Sequence, residues 1–277
     1  MNNNQARKVQ IKKENSEIAL ALGSGAVRGY AFFPIIDRLE EEGLKIKAIS
    51  GSSIGALVGA YYALHGELKS LFKTVTSMTR ADYLKMLDPN FPHKSLIKGE
   101  KVRQFLEDNF FGQYTFAETK IPLFICAVDI ISKKAIYFQK GPIIDAVLAS
   151  ISFPGIVPPY QLGDSLFVDG GVLDPVPVQI LVDNNYNKII GVNLMGCQAE
   201  IKKPDPGLLP TIITSFYMMM ERLAWRESSP QVYMMNLSFK PDPTSMLSFY
   251  NWKENYRLGQ EAITKELPAI KKWLKEE

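Results

Sequence analysis

Residues 47–66 read KAISGSSIGALVGAYYALHG. A short strand through Lys47–Ile49 runs into Gly51-Ser52-Ser53-Ile54-Gly55, and a helix over Ala56–Leu64 follows, stopped by Gly66. Between them Gly51–Gly55 fits G-x-S-x-G, the strand-turn-helix pattern that pushes a serine hydroxyl into the open. Small residues on both sides of Ser53 permit the tight backbone. The helix behind it points its N-terminal N–H groups and positive dipole end at the same place, a field that favours an alkoxide-like serine and a nearby oxyanion. Alone, the pentapeptide also reads as an ordinary Gly-Ser turn; the strand before it and the helix after it favour the nucleophile. Gly55, Gly59 and Ala63 fall at i, i+4 and i+8, a stripe that predicts a helix seated close on a sheet.

The pattern repeats outward. Ile18–Leu22 is short, apolar and bounded by Gly23, as a buried parallel strand is. Ala31–Glu42 carries Phe32, Ile35, Ile36 and Leu39 at helical spacing and ends before Gly43. Residues 67–120 read as mainly helical, with loops over 88–93. Ile121–Ile131 reads as a central strand and Ile143–Ile151 as a helix; Pro154, Pro158 and Pro159 force an irregular loop. Leu166–Val168 is a strand leading into Asp169-Gly170-Gly171, and Ile189–Leu194 is another. Residues 201–210 form a connector to a helix at 211–226, a strand at 232–237 and an amphipathic helix at 251–275. Alternation of this kind predicts an α/β fold with a parallel sheet. Residues 1–16 read as a flexible polar leader, and residues 17–277 as one domain in which 201–277 are an extension packed on the rest.

Composition excludes several classes. Of 277 residues, 46% are hydrophobic and 22% charged, which supplies a large core and excludes a disordered chain. Thirty-two Lys and Arg against 29 Asp and Glu leave a net charge of +3, so no nucleic-acid partner is expected. No apolar run is long enough to span a membrane. The five-residue run Ile18–Leu22 is too short for a signal-peptide core, although basic residues precede it. Two cysteines cannot build a disulfide framework, so a reducing, cytoplasmic compartment is expected. Two histidines and two distant cysteines lack metal-ligand spacing, and neither metal nor cofactor is expected.

A serine nucleophile needs a base. The usual hydrolase order of serine, acid, histidine fails here, because no histidine follows His93 and none therefore follows Asp129, Asp145, Asp164 or Asp169. His65 lies at the far end of the helix after Ser53, roughly 18 Å along its axis. His93, in a Pro-flanked loop, reads as a surface residue. A carboxylate is the alternative, and Asp169 is the best placed, at the C-terminal edge of what reads as a parallel strand, where α/β sheets bind ligands. Asp169-Gly170 is equally an Asp-Gly turn, and position alone leaves both readings open. A free aspartate has a pKa near about 3.9, so such a pair has to rely on a desolvated pocket and a strong oxyanion site.

Gly23-Ser24-Gly25-Ala26-Val27-Arg28-Gly29 joins the first strand to the first helix, and its N–H groups converge on the edge that carries Ser53. Arg28 either holds this loop or meets an anionic head group. A dinucleotide loop fails in detail, since its spacing needs glycine where Arg28 stands.

Together Gly23–Gly29, Gly51–Gly55 and Asp169-Gly170-Gly171 resemble the patatin-like phospholipase family, as do Ser150–Pro158 and Asp174-Pro175-Val176-Pro177. The resemblance covers residues 17–195 clearly and the tail loosely. It implies a three-layer α/β/α sandwich with a mainly parallel central sheet, and a lipid acyl hydrolase with a Ser–Asp dyad and no histidine. Ser53 would be the nucleophile and Asp169 the base. The N–H groups of Ser24, Gly25, Ala26 and Ile54 would hold the oxyanion. Gly23, Arg28, Gly29, Gly51, Gly55, Gly170 and Gly171 would shape the turns around them. Ser24 and Ala26 stand where many members have glycine.

The reading is a cytoplasmic acyl hydrolase acting on lipid or other acyl esters, with transient contact at a membrane surface left open. An acyltransferase on the same dyad, a non-enzymatic regulatory or scaffold protein on a hydrolase fold and a nucleotide binder are the rivals. The helix at 211–226, with Ile212, Ile213, Phe216, Tyr217, Met219, Met220 and Leu223, reads first as a core helix and second as a wall for an acyl chain. Phe91 and Phe110-Phe111 are candidate lipid contacts at an interface.

Overall fold

β1 (Glu17–Leu22) shows why the sheet is sandwiched. Its side chains alternate, with Ile18, Leu20 and Leu22 packing in one core cluster and Ala19 and Ala21 in another on the opposite face. A strand apolar on both faces is stable only when both are covered. The computed structural model describes residues 16–86, 88, 95, 97–197, 207–225, 228–239 and 249–276. Within them, β1 leads through a 3₁₀ turn (Ala26–Ala31) to α1 (Phe32–Glu41), β2 (Lys45–Ser52) and α2 (Ile54–His65). Then come α3 (Lys69–Ser77), α4 (Arg80–Met86), α5 (Glu100–Leu106), a π-helical turn (Glu107–Phe111), β3 (Leu123–Asp129), β4 (Lys134–Phe138) and α6 (Ile143–Ser150). β5 (Tyr160–Leu162), β6 (Ser165–Asp169), α7 (Gln179–Asp183), β7 (Ile189–Cys197), α8 (Leu208–Ala224), β8 (Val232–Phe239) and α9 (Trp252–Trp273) complete the chain.

Hydrogen bonds link the strands in the order β5-β6-β3-β2-β1-β7-β8, with β4 also on β3. Pairs β1–β2, β1–β7, β2–β3 and β7–β8 are parallel, so the sheet is mainly parallel, as expected. The larger core, with α1, α2, α6 and α9, fills one face, and α7 and α8 cover the other with Val178, Leu181, Met220 and Ala224. This is a three-layer α/β/α arrangement. β8 joins the same sheet beside β7.

One expectation needs correcting. β6 is antiparallel to both its neighbours, β3 and β5, so Asp169 does not end a parallel strand. Ile125 and Cys126 pair with both β2 and β4, while Ala127–Asp129 pair with both β4 and β6. β2 and β6 therefore share one edge of β3 and meet head to head. Ser52 lies opposite Cys126 and Asp169 opposite Ala127, adjacent register positions. This collision of two strand ends brings residues 116 positions apart into contact.

The leader lies outside the described residues except for Ser16, whose carbonyl accepts the Lys45 N–H as an extension of the β1–β2 ladder. Residues 201–206 of the connector, together with Phe91 and His93, also lie outside them. No helix among the described residues is long and apolar enough to cross a membrane.

Candidate active site

The elbow is steric in origin. A Cβ on Gly51 would sit 2.4 Å from the Gly55 carbonyl oxygen, and one on Gly55 would sit 2.0 Å from that of Leu22. Only glycine lets α2 fold back this tightly over the end of β2 and against β1. Between the two, Ser53 takes φ +57° and ψ −124°, a sparsely populated backbone region for any residue with a side chain. Ser150 holds the strained turn. Its hydroxyl accepts the Ser53 N–H at 2.9 Å and donates to the Cys126 carbonyl at 2.6 Å. No role for Ser150 was evident in the sequence, since a serine at the end of an apolar helix carries no signal of its own.

Ser53 Oγ donates to Asp169 Oδ2 at 2.5 Å, and Asp169 Oδ1 accepts the Gly171 N–H at 2.8 Å. Asp169 is 1% exposed. Burial, only partly offset by these two donors, pushes its carboxyl up to about 7. The weak base that the sequence implied is thus adjusted by desolvation to near neutrality. Gly170 lets this turn lie on β3, because a Cβ there would meet the Cys126 carbonyl oxygen at 2.3 Å.

The loop before α1 reaches the same point. Gly25 and Ala26 line the cavity with Ser53 and Asp169, and among the described residues no acceptor engages the N–H groups of Gly25, Ala26 or Ile54. Ser24 differs from expectation. Its N–H donates to the Pro175 carbonyl at 2.8 Å and its hydroxyl to Ser52 Oγ at 3.1 Å, so its amide is committed to holding the loop. The Pro177 carbonyl likewise accepts the Ser50 hydroxyl at 2.6 Å, which gives the Asp174–Pro177 run a bracing role. Arg28 is 6% exposed, donates to the Leu194 carbonyl at 2.9 Å and lies over the Phe239 ring. Of its two readings the structure favours loop holder, because a buried guanidinium facing β7 and β8 does not meet a head group. A Cβ on Gly29 would meet Ile54 Cγ1 at 2.3 Å, so this glycine lets the loop press on the start of α2.

The other acids and the described histidine lie elsewhere. His65 packs against the rings of Tyr61 and Tyr114. Asp145 bonds Tyr160 and Arg103, and Asp129 holds the turn after β3 through the Ile131 and Ser132 N–H groups.

Ser53 and Asp169 open into a cavity of about 510 Å³ lined mostly by apolar side chains. Leu57 and Val58 of α2, Leu71 and Val75 of α3, and Val102 and Phe105 of α5 supply much of that apolar wall. Phe110 also lines it while Phe111 is fully buried, so neither sits at an outer surface as expected. α8 packs in the core through Met220 and Ala224, as its first reading expected, lines the cavity through Tyr217 and Met220, and exposes Leu208, Met218 and Met219.

A family model described as Patatin-like phospholipase matches residues 20–182. An uncharacterized NTE family protein of Mycobacterium tuberculosis (strain ATCC 25618 / H37Rv) is 37% identical over 182 residues, which cover 66% of this chain and 50% of that protein. A protein of Aspergillus niger named Lysophospholipase nte1 is 26% identical over 87% of this chain and 17% of its own length. The chain spans about half the length of the mycobacterial relative it matches, and less of the fungal one. Among solved structures, VipD from Legionella pneumophila superposes with a TM-score of 0.57 at 13% identity, covering 91% of this chain and 67% of that one, a likeness of fold.

Proposed function

This chain belongs to the patatin-like phospholipase family, and from that premise we propose that it is a serine acyl hydrolase of lipid esters working through a Ser53–Asp169 dyad. The observation that carries this reading is the 2.5 Å contact between Ser53 Oγ and a buried Asp169, both lining a mostly apolar cavity. The acyl chain lies along the α2, α3 and α5 wall, with the ester carbonyl at Ser53. Ser53 Oγ attacks the carbonyl carbon while its proton passes to Asp169. A carboxyl at about 7 is well matched to accept that proton near neutrality and return it. The carbonyl oxygen takes up the charge and is held by the N–H groups of Gly25, Ala26 and Ile54, aided by the α2 dipole. Collapse expels the alcohol, protonated by Asp169, and leaves an acyl-Ser53. Water then attacks, gives its proton to Asp169 and releases the fatty acid, and Ser53 recovers its hydrogen.

A relative named lysophospholipase and the size of the cavity support glycerolipids as the substrate class. The exposed apolar side chains of α8, the helix whose other face lines the cavity, support contact with the lipid surface that delivers them.

A fluorophosphonate probe tests the reading. The wild-type protein is expected to be labelled, and Ser53→Ala to lose the label and at least ~10⁴-fold of esterase activity, as removal of an activated nucleophile does. Asp169→Asn is expected to stay folded without turnover. Labelling that persists in Ser53→Ala, or turnover that survives Asp169→Asn, would sink it.

A further inference from the structure

The proposed dyad leaves one task without a dedicated group. In hydrolases with a histidine, the imidazolium stabilises the departing alcohol. Here Asp169, with Oδ2 on Ser53 and Oδ1 on the Gly171 N–H, serves both the nucleophile and the leaving oxygen, with no second donor in the dyad. The oxyanion donors come from the loop before α1 and from the start of α2. Because Asp169 has to deliver its proton to the leaving oxygen, that oxygen departs beside the Asp169 turn, on which α8 packs.

A Cβ on Gly171 would meet Met220 Cε at 2.2 Å, so α8 packs directly on the Asp169-Gly170-Gly171 turn. One helical turn earlier, Tyr217 lines the cavity with Ser53 and Asp169. Its ring is fixed by stacking on Phe153, centroids 5.6 Å apart and planes 19° apart. Most polar tips in this cavity have protein partners. Ser24 bonds Ser52, and Tyr30 and Tyr83 bond each other and the Val75 carbonyl. Arg80 lies over the Tyr250 ring beside α4. Tyr217 Oη has no hydrogen-bond partner among the described residues, yet no fully buried polar atom among them is left unsatisfied, so this oxygen is reachable from the cavity. The Asp169 carboxyl and the Arg28 guanidinium both act on the phenol electrostatically, and burial holds its pKa well above the ordinary tyrosine value. It stays a donor throughout the working pH range.

We propose that Tyr217 donates a hydrogen bond to the leaving-group oxygen of the ester, an inference that rests on the Ser53–Asp169 reading. As the tetrahedral intermediate collapses, the bond from carbon to that oxygen breaks and its electron pair moves onto the oxygen. The proton that Asp169 took from Ser53 completes the alcohol. Tyr217 keeps its own proton and lowers the charge that builds before Asp169 delivers. In deacylation the same hydroxyl faces the attacking water.

Tyr217→Phe keeps the stacked ring and removes only the hydroxyl. The test compares two esters of one fatty acid: a p-nitrophenyl ester, whose anion leaves without help, and lysophosphatidylcholine, whose glyceryl oxygen does not. With the dyad intact, Tyr217→Phe is expected to keep fluorophosphonate labelling and a melting temperature within about 1 °C of wild type. Its kcat/KM is expected to fall ~10–100-fold on lysophosphatidylcholine, the loss of one hydrogen bond to a charged oxygen, and at least tenfold less on the aryl ester. Equal losses on both esters, or no loss on either, in protein that is still labelled overturn the role of Tyr217 and leave the dyad standing. A wild-type protein that neither takes the label nor cleaves the aryl ester overturns both.

Discussion

The turns that carry Ser53 and Asp169 and the apolar wall built by α2, α3 and α5 obey different constraints. In those turns, Gly51, Gly55 and Gly170 each face a backbone carbonyl oxygen at 2.0–2.4 Å from where a Cβ would be. Those atoms belong to the backbone of β1, β3 and the first turn of α2, and cannot step aside as a side chain can. Along the wall, Leu57, Val75, Val102 and Phe105 meet other side chains and empty volume. The geometry of the proposed dyad is thus fixed by steric prohibition, and pocket shape by bulk alone. A substitution at the first site is expected to break the molecule, and one at the second to retune it.

Gly55→Ala should have the largest effect. Its added carbon can be relieved only by parting α2 from β1, at a cost of about 3 kcal/mol or more, beyond ordinary overpacking. Gly59→Ala, one turn along the same helix, meets Ile49 Cγ2 at 2.7 Å, a side-chain atom able to shift. It should cost roughly 1–2 kcal/mol. Urea unfolding of the two variants measures the gap; equal losses would mean that the backbone clash is absorbed as easily as a side-chain one.

Asp169 gives the next effect, in the pH dependence of stability. Its carboxyl lies near 7 when folded and near ~3.9 when unfolded. A raised folded value means stability fully present below about pH 4 and lost as pH rises through 7. From pH 5 to pH 8 the wild type should lose roughly 2–3 kcal/mol that Asp169→Asn retains. Parallel stability–pH curves for the two proteins would show that Asp169 ionises freely and that its burial does not set its role.

The same contrast explains what the sequence disclosed. The elbow, the loop at residues 23–29 and Asp169-Gly170-Gly171 were legible because steric prohibition admits few residue types, which stand out in any chain. Strand direction was not written in this way. Leu166–Val168 reads equally well either way round, and only the two-residue link Gly163-Asp164, with Gly163 at φ +60°, marked β5 and β6 as a hairpin. Leu71 and Val75 carry the helical spacing of any core helix, and nothing in that period separates a core face from a tunnel wall. α8 was ambiguous for the same reason, being apolar around most of its circumference, with Tyr217 inward and Met219 outward. Ser150 and Pro175, which brace the elbow and the loop, act through contacts with residues distant in sequence.

The wall should respond by changing selectivity. Val75→Phe places a ring where the cavity now runs, so little core packing is disturbed. The ratio of kcat/KM for a sixteen-carbon ester to that for an eight-carbon ester is expected to fall about tenfold, since each excluded methylene costs on the order of 1 kcal/mol of binding. Labelling of Ser53 should persist. An unchanged ratio would take Val75 off the acyl path.

Ala26 tests the comparison at its finest, because it belongs to the proposed catalytic region yet breaks that region's rule. It has a side chain where its φ of +50° favours glycine, and it lies in the cavity-lining loop proposed to hold the oxyanion. An L-residue in the left-handed region costs roughly 1–2 kcal/mol, and glycine returns part of that as extra freedom in the unfolded chain. Ala26→Gly should therefore gain about 0.5–1 kcal/mol, a rise in melting temperature of roughly 1–3 °C for a chain of this size. The N–H survives the change, so kcat should stay within about twofold of wild type. A stabilised enzyme with a much lower kcat would show that the methyl group restrains the loop for catalysis, and that even this exception in the catalytic region is held by a steric demand.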